Sequence, residues 1–141
     1  MDDVDRLLRK KALEITGRGR VSKCCQLSYA PGYVVNNEAQ LRNAIMGCKV
    51  SFVMFFGKTC PYCHMFDPIF KQVGERYREI ANFVKADIDQ FYQIAVALGI
   101  MGTPATVAFV DGQPVEVAPG FMTAPQFTAF VESVLSYARC K

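Results

Sequence analysis

Seven residues near the middle of the chain, Val50 to Phe56, read VSFVMFF, with no charge and a single hydroxyl. A continuous apolar run of this length fits a central strand covered on both faces, as sheets built from crossover units require. It is far too short to cross a bilayer, which takes about 20 residues. The run therefore predicts a layered α/β domain with this strand at its centre, and its phenylalanines are read as core.

The flanking segments agree. Asn37 ahead of EAQLRNAI predicts an N-capped helix. Cys63, Phe66, Phe70, Val73, Tyr77 and Ile80 recur at helical spacing across residues 61 to 80. NFVKADID reads as a second strand, and FYQIAVALG as a short helix closed by Gly99. ATVAFVDGQPVEV sets two strands around Asp111-Gly112, the strongest hairpin signal in the chain. Thr123 with Gln126 three residues on forms a capping box. The helix it opens has one apolar face of Phe127, Phe130, Val131, Val134 and Leu135. With a first strand at Tyr33, the order is β-α-β-α-β-α-β-β-α. That order predicts a mixed sheet flanked by helices on both faces, parallel at the crossovers and antiparallel at the hairpin.

Ahead of this lie Val4, Leu7, Leu8, Ala12 and Ile15, at three- and four-residue steps. They predict an extra N-terminal amphipathic helix over residues 2 to 16, ended by Gly17 and Gly19. Residues 1–32 are read as this helix plus a polar linker, appended to a domain filling residues 33–141. The apolar stripe is expected to dock on its own domain, leaving a monomer. With 51% hydrophobic and 21% charged residues, the chain belongs with globular proteins rather than disordered ones. The net charge of +3 is mild and no basic stripe is interleaved with aromatics, so nucleic-acid binding has no support. The N-terminal stretch is charged throughout and has no apolar h-region, so a cytoplasmic protein without a membrane partner is expected.

Six cysteines remain: Cys24, Cys25, Cys48, Cys60, Cys63 and Cys140. Cys60 closes the loop after the central strand and begins the long helix. Unpaired backbone N–H groups and the helix dipole favour an anion there, which predicts a nucleophilic, exposed Cys60 thiolate. Pro61 fits the first helical turn, where its missing N–H costs nothing. Cys63, one turn further in, faces the core and is held ready to resolve a mixed disulfide. Zinc would need a second cysteine pair or two spaced histidines, whereas the other cysteines are scattered and His64 is the only histidine. No metal site is expected. A purely structural bridge within the motif would close too small a loop to restrain the unfolded chain much. The other four cysteines are open to three readings, as plain thiols, as a structural disulfide or as a relay of oxidising equivalents to the motif, and any pairing among them cannot be read from the sequence.

Over residues 33 to 138 the chain resembles the thioredoxin superfamily. CPYCHMFDPIF is similar to its active-site run, with Pro68 at the helix-kinking proline. GTPATVAFVDG is similar to the stretch whose Thr-Pro bond is cis, Gly120 to the glycine beside the active site, and Lys85 to a buried lysine. The resemblance implies a thioredoxin fold and a Cys60–Cys63 dithiol that interconverts with a disulfide. It further implies a groove in which Tyr62, Met101, Thr103, Pro104 and Gly120 meet an extended substrate peptide.

The chain also departs from the family. Pro61-Tyr62 is the glutaredoxin dipeptide rather than Gly-Pro. Met54 stands where thioredoxins bury an aspartate, so the usual proton acceptor for Cys63 and the partner of Lys85 are both missing, with water or a nearby carboxylate such as Asp87 as the substitute. Phe56 and Thr59 replace two tryptophans. The expected function is thiol–disulfide exchange with protein disulfides, with no cofactor beyond the cysteines and a flavin-dependent thioredoxin reductase as electron donor. Its potential should lie between roughly −270 and −180 mV, the span from thioredoxin to disulfide isomerase. The alternatives are a glutathione-linked, glutaredoxin-like enzyme and an interaction module of the same fold with little turnover.

Overall fold

The computed structural model describes residues 24–140, so the helix expected over residues 2–16 lies outside the described residues. In chain order the elements are β1 (Tyr33–Val34), α1 (Glu38–Gly47), β2 (Val50–Phe56), α2 (Pro61–Arg76), β3 (Ala81–Asp87), α3 (Tyr92–Ala97), β4 (Ala105–Val110), β5 (Gln113–Pro119) and α4 (Ala124–Tyr137). They form one five-stranded sheet in the order β1-β3-β2-β4-β5. The first three run parallel, joined by helical crossovers, while β4 and β5 are antiparallel to their neighbours. The VSFVMFF run is the central strand, and Val50 to Phe55 are at most 1% exposed. Its one hydroxyl, on Ser51, donates to the Ala44 carbonyl at 2.8 Å.

Alternation along β2 divides the interior into two cores. Phe52 and Met54 pack with Phe66, Phe70, Phe83 and Phe127 under α2 and α4, where the Phe70 and Phe127 rings stack at 5.4 Å. Val53 and Phe55 pack with Leu41, Val84, Phe91 and Ala95 under α1 and α3. Each fully buried phenylalanine contributes about 1.5–3 kcal/mol, so the aromatic layer beneath α2 is what fixes that helix on the sheet.

Local signals position the ends. Asn37 accepts from the Gln40 N–H at 2.8 Å, and both halves of the Thr123–Gln126 capping box are made. Asp111 and Gly112 have φ of 53° and 80°, the pair of positive values a type I′ hairpin turn needs. Helix α2 stops at Arg76, earlier than its apolar stripe predicts. Tyr77 caps it, and the chain turns while keeping Tyr77 buried, so the stripe outlasts the helix.

Residues 24–32, the end of the expected appendage, lie against the domain. Disulfides join Cys24 to Cys140 and Cys25 to Cys48. Between them, the Gln26 and Leu27 N–H groups donate to the Gly47 carbonyl at 2.7 and 3.0 Å. The approach is close: a Cβ on Gly47 would stand 2.4 Å from the Leu27 carbonyl oxygen. No helix among the described residues is long and apolar enough to cross a membrane.

Candidate active site

Three chain segments converge beyond the C-terminal end of β2. The first is the motif. Cys60 is the N-cap of α2, with extended backbone (φ −135°), and its Sγ accepts the Cys63 N–H at 3.1 Å. Pro61 follows in the first turn and Pro68 lies inside the helix. Cys60 and Cys63 are joined as a disulfide with Cα atoms 5.2 Å apart.

Their exposures differ less than the sequence suggests: Cys60 is 8% and Cys63 5% exposed. In the disulfide, Cys60 is drawn onto the first turn of α2 by both its bond to Cys63 and the cap. The exposed residues of the motif are Pro61 and Tyr62, the latter at 60%. His64 is exposed as well.

The second segment is the loop after α3. The Thr103–Pro104 bond is cis, Pro104 is buried, and Met101 stands 99% exposed ahead of it. Gly57, which sequence reasoning passed over, is where this loop meets the motif. A Cβ there would lie 3.1 Å from Thr103 Oγ1 and 3.7 Å from Cys60 Cβ. Nothing in the sequence around Gly57 announces this, because both contacts come from outside its own strand. The third segment is the end of β5, where the Gly120 N–H donates to the Pro104 carbonyl at 2.7 Å. Gly120 has φ of +83°, which suits glycine. Tyr62 and Met101 are both exposed, whereas the oxidised pair is buried.

Beneath the motif the polar groups are arranged differently from the expectation. Met54 is fully buried, opposite Lys85 on β3 and Thr106 on β4. Lys85 is bonded to Asp67 on α2, and its ammonium lies 5.4 Å from the centre of the Phe56 ring. Asp87, suggested as the substitute carboxylate, instead accepts the Asp89 N–H at 2.9 Å. It belongs to the turn leaving β3. Lys71 reaches Asp67 from one turn further along α2, at 3.1 Å. Partial burial pushes the Asp67 carboxyl up, but hydrogen bonds and charge from Lys85 and Lys71 outweigh it and hold the group below its ordinary value. The Thr106 hydroxyl is fully buried without a hydrogen-bond partner.

The four remaining cysteines pair away from this end, as the Cys24–Cys140 and Cys25–Cys48 bridges, and no described cysteine is free. Among the described residues, no three metal-ligating side chains come together.

Comparison with known proteins gives the same picture. The chain is 28% identical over 98 residues to a thioredoxin of Alicyclobacillus acidocaldarius, covering 70% of this chain and 93% of that protein. It is also 31% identical over 85 residues to the NADPH-dependent thioredoxin reductase 3 of Arabidopsis thaliana, but there the match spans only 16% of the relative's length. A solved structure of a mutant thioredoxin from Halobacterium salinarum superposes with a TM-score of 0.69 at 26% identity, covering 76% of this chain and 93% of that one. The family model described as Thioredoxin matches residues 32–133. The chain belongs to the thioredoxin family.

Proposed function

We propose that this protein is a protein disulfide oxidoreductase working through Cys60 and Cys63. The Cys60 thiolate attacks a substrate disulfide, forming a Cys60–substrate bond and releasing one substrate thiolate. Cys63, deprotonated, then attacks Cys60 Sγ; the intramolecular bond forms, the mixed disulfide breaks, and the second substrate thiolate leaves. Two electrons pass from the dithiol to the substrate, and solvent protonates the leaving thiolates.

One observation carries the proposal: an oxidised cysteine pair at a helix N-terminus, met across Gly57 by the Thr103–Pro104 turn. Tyr62, Met101, Thr103, Pro104 and Gly120 are assigned to the substrate groove. Extended peptide bound along the backbone before Pro104 would put its disulfide over Cys60.

The electron donor is proposed to be a thioredoxin reductase. The plant relative of that name, which carries a stretch similar to this chain, supports the pairing. A cytoplasmic setting stands beside two disulfides outside the motif, a combination found in intracellular proteins of hyperthermophiles.

The test is dithiothreitol-driven reduction of insulin by the natural sequence and by Cys60→Ser. Faster precipitation by the natural sequence alone supports exchange. Equal rates would leave a fold with little turnover, and the interaction-module alternative would take its place.

A further inference from the structure

The Cys24–Cys140 bridge sets where the segment ahead of Cys24 leaves the domain. It holds the Cys24 Cα 6.1 Å from that of Cys140. The Cys140 N–H donates to the Leu135 carbonyl at 2.8 Å, so the bridge is folded back over the end of α4. Tyr137, three residues before Cys140, is 70% exposed despite its large ring. It lines a groove of about 370 Å³ between α4 and the edge strand β5, together with Val115, Glu116, Ser133 and Val134. Val134 is buried there, while Val115 is 38% exposed.

Residues 1–23 lie outside the described residues. Their sequence carries the apolar stripe of Val4, Leu7, Leu8, Ala12 and Ile15. At the same spacing Lys11 falls inside that stripe, four residues after Leu7 and three after Leu8. A cation on an apolar face needs an acid opposite it once that face is covered. The groove offers one, because Glu116 is exposed where it lines the groove. Strand β5 and helix α4 contain two acids, Glu116 and Glu132, and no base. Glu132 is bonded to Tyr77, and the first base after α4 is Arg139.

The dimensions agree. A helix over residues 2 to 16 would be about 22 Å long, and α4, with 14 residues, is about 21 Å. The seven residues from Gly17 to Lys23 span up to about 25 Å. Tyr137 is separated from the bridge by three residues of chain, at most about 11 Å. The linker is therefore long enough to turn the stripe back from Cys24 onto the groove.

We infer that the groove between β5 and α4 is the seat of the chain's own N-terminal segment. The stripe of residues 2–16 covers Val115, Val134 and Tyr137, and Lys11 meets Glu116. A second groove, beside Cys24 itself, fits less well. It is lined by Met46, Lys49 and Asp111 among others. Residues 1–23 carry seven Lys and Arg against four Asp and Glu, and a base beside an acid gives such a segment no net attraction. None of the residues assigned to the exchange site lines the groove between β5 and α4. The inference is thus independent of the reading of Cys60 and Cys63.

The experiment uses the full, oxidised chain. Chymotrypsin cleavage after Leu7 and Leu8 is followed by mass spectrometry. A seated stripe is cut only when it leaves the groove, so the rate tracks that open population. Glu116→Lys should speed cleavage about two- to fivefold, the range of an exposed ion pair. Tyr137→Ser, which removes apolar cover, should speed it about tenfold. Lys11→Glu should be cut faster than the parent, and adding Glu116→Lys to it should slow cleavage again. Those last two proteins share one sequence around the cleavage sites, so their difference reports the groove alone. In parallel, a photoreactive benzoyl-phenylalanine placed at Leu8 should cross-link within one chain to peptides containing Val115 or Tyr137.

A rate unmoved by Glu116→Lys, or no recovery in the double variant, overturns the pairing of Lys11 with Glu116. Cross-links to another surface, or none to the domain, overturn the seat itself. Cross-links between chains at the groove overturn it as well, by giving the groove to a second copy.

Discussion

Asn82, fully buried on β3, accepts a hydrogen bond from the Tyr29 N–H at 2.8 Å. Its amide nitrogen uses both hydrogens as well, on the Leu27 carbonyl at 3.0 Å and the Ala44 carbonyl at 2.9 Å. One side chain thus joins residues 24–32, helix α1 and the sheet. Asn82→Ala would leave the Tyr29 N–H and the Leu27 carbonyl without their side-chain partner, while the Ala44 carbonyl keeps the Ser51 hydroxyl, at a cost of about 2–4 kcal/mol. Urea denaturation of the oxidised protein reads this as a lower midpoint with little change in slope. A midpoint within error of the parent would show that water replaces the amide.

Gly57 separates Thr103 from Cys60, and its space is limited. Gly57→Ala places a Cβ 3.1 Å from Thr103 Oγ1, a hydroxyl that can rotate away, so insulin reduction should stay within about twofold of the parent. Gly57→Val adds branches that push the Pro104 turn off the motif and should lower the rate by about tenfold or more. Equal rates for the two variants would remove Gly57 from the site.

Thr106 buries a hydroxyl that finds no hydrogen-bond partner. Thr106→Val keeps the shape and removes the desolvated group, which should raise stability by about 1 kcal/mol. Guanidinium unfolding of both proteins with the disulfides intact checks it. A loss of stability would mean that an internal water satisfies the hydroxyl.

The Asp67 carboxyl, although pushed up by burial, is held below its ordinary value by Lys85 and Lys71, so its folded-state pKa is depressed. The stability it contributes is fully present above the unfolded value of 3.8 and is lost as the pH falls through the lower, folded one. Asp67→Asn should therefore melt below the parent near neutral pH, and the two curves should converge in strong acid. Parallel curves from about pH 7 to pH 2 would contradict the pairing.

The two bridges outside the motif close loops of very different length, with sequence separations of 116 and 23 residues. Loop-entropy estimates give about 5 kcal/mol for the longer and about 3 kcal/mol for the shorter. The double variant Cys24→Ser/Cys140→Ser should thus lose more stability than Cys25→Ser/Cys48→Ser in guanidinium titrations. The reverse order would show that native-state contacts, rather than chain entropy, govern the bridges.

Most of the fold was legible because its signals are local. The VSFVMFF run, the Asp111-Gly112 turn and the caps at Asn37 and Thr123 each depend on neighbours a few residues away, and each marks the element it announces. The motif was legible as a helix start for the same reason, whereas the cis Thr103–Pro104 turn was legible only through the resemblance. What escaped depends on partners distant in sequence. Asn82 and Tyr29 are 53 residues apart, and nothing near Asn82 marks it as core. The missing acid at Met54 was visible, but its counterpart was sought along β3 at Asp87. It lies across the interior at Asp67, where only the direction of an α2 side chain, four residues after Cys63, brings it to Lys85. The cysteine pairing was hidden because six thiols constrain no unique set of bridges until the ends of the chain are brought together.

The Cys24–Cys140 bridge leaves the described domain with no loose end between its first and last cysteines. The polypeptide from one to the other is a covalent ring. A protease that cuts once between them, in the turn after Arg76 for example, opens the ring without releasing a fragment. A nicked molecule would run as one species on a non-reducing gel and as two after reduction, and its halves would stay tethered closely enough to re-form the sheet.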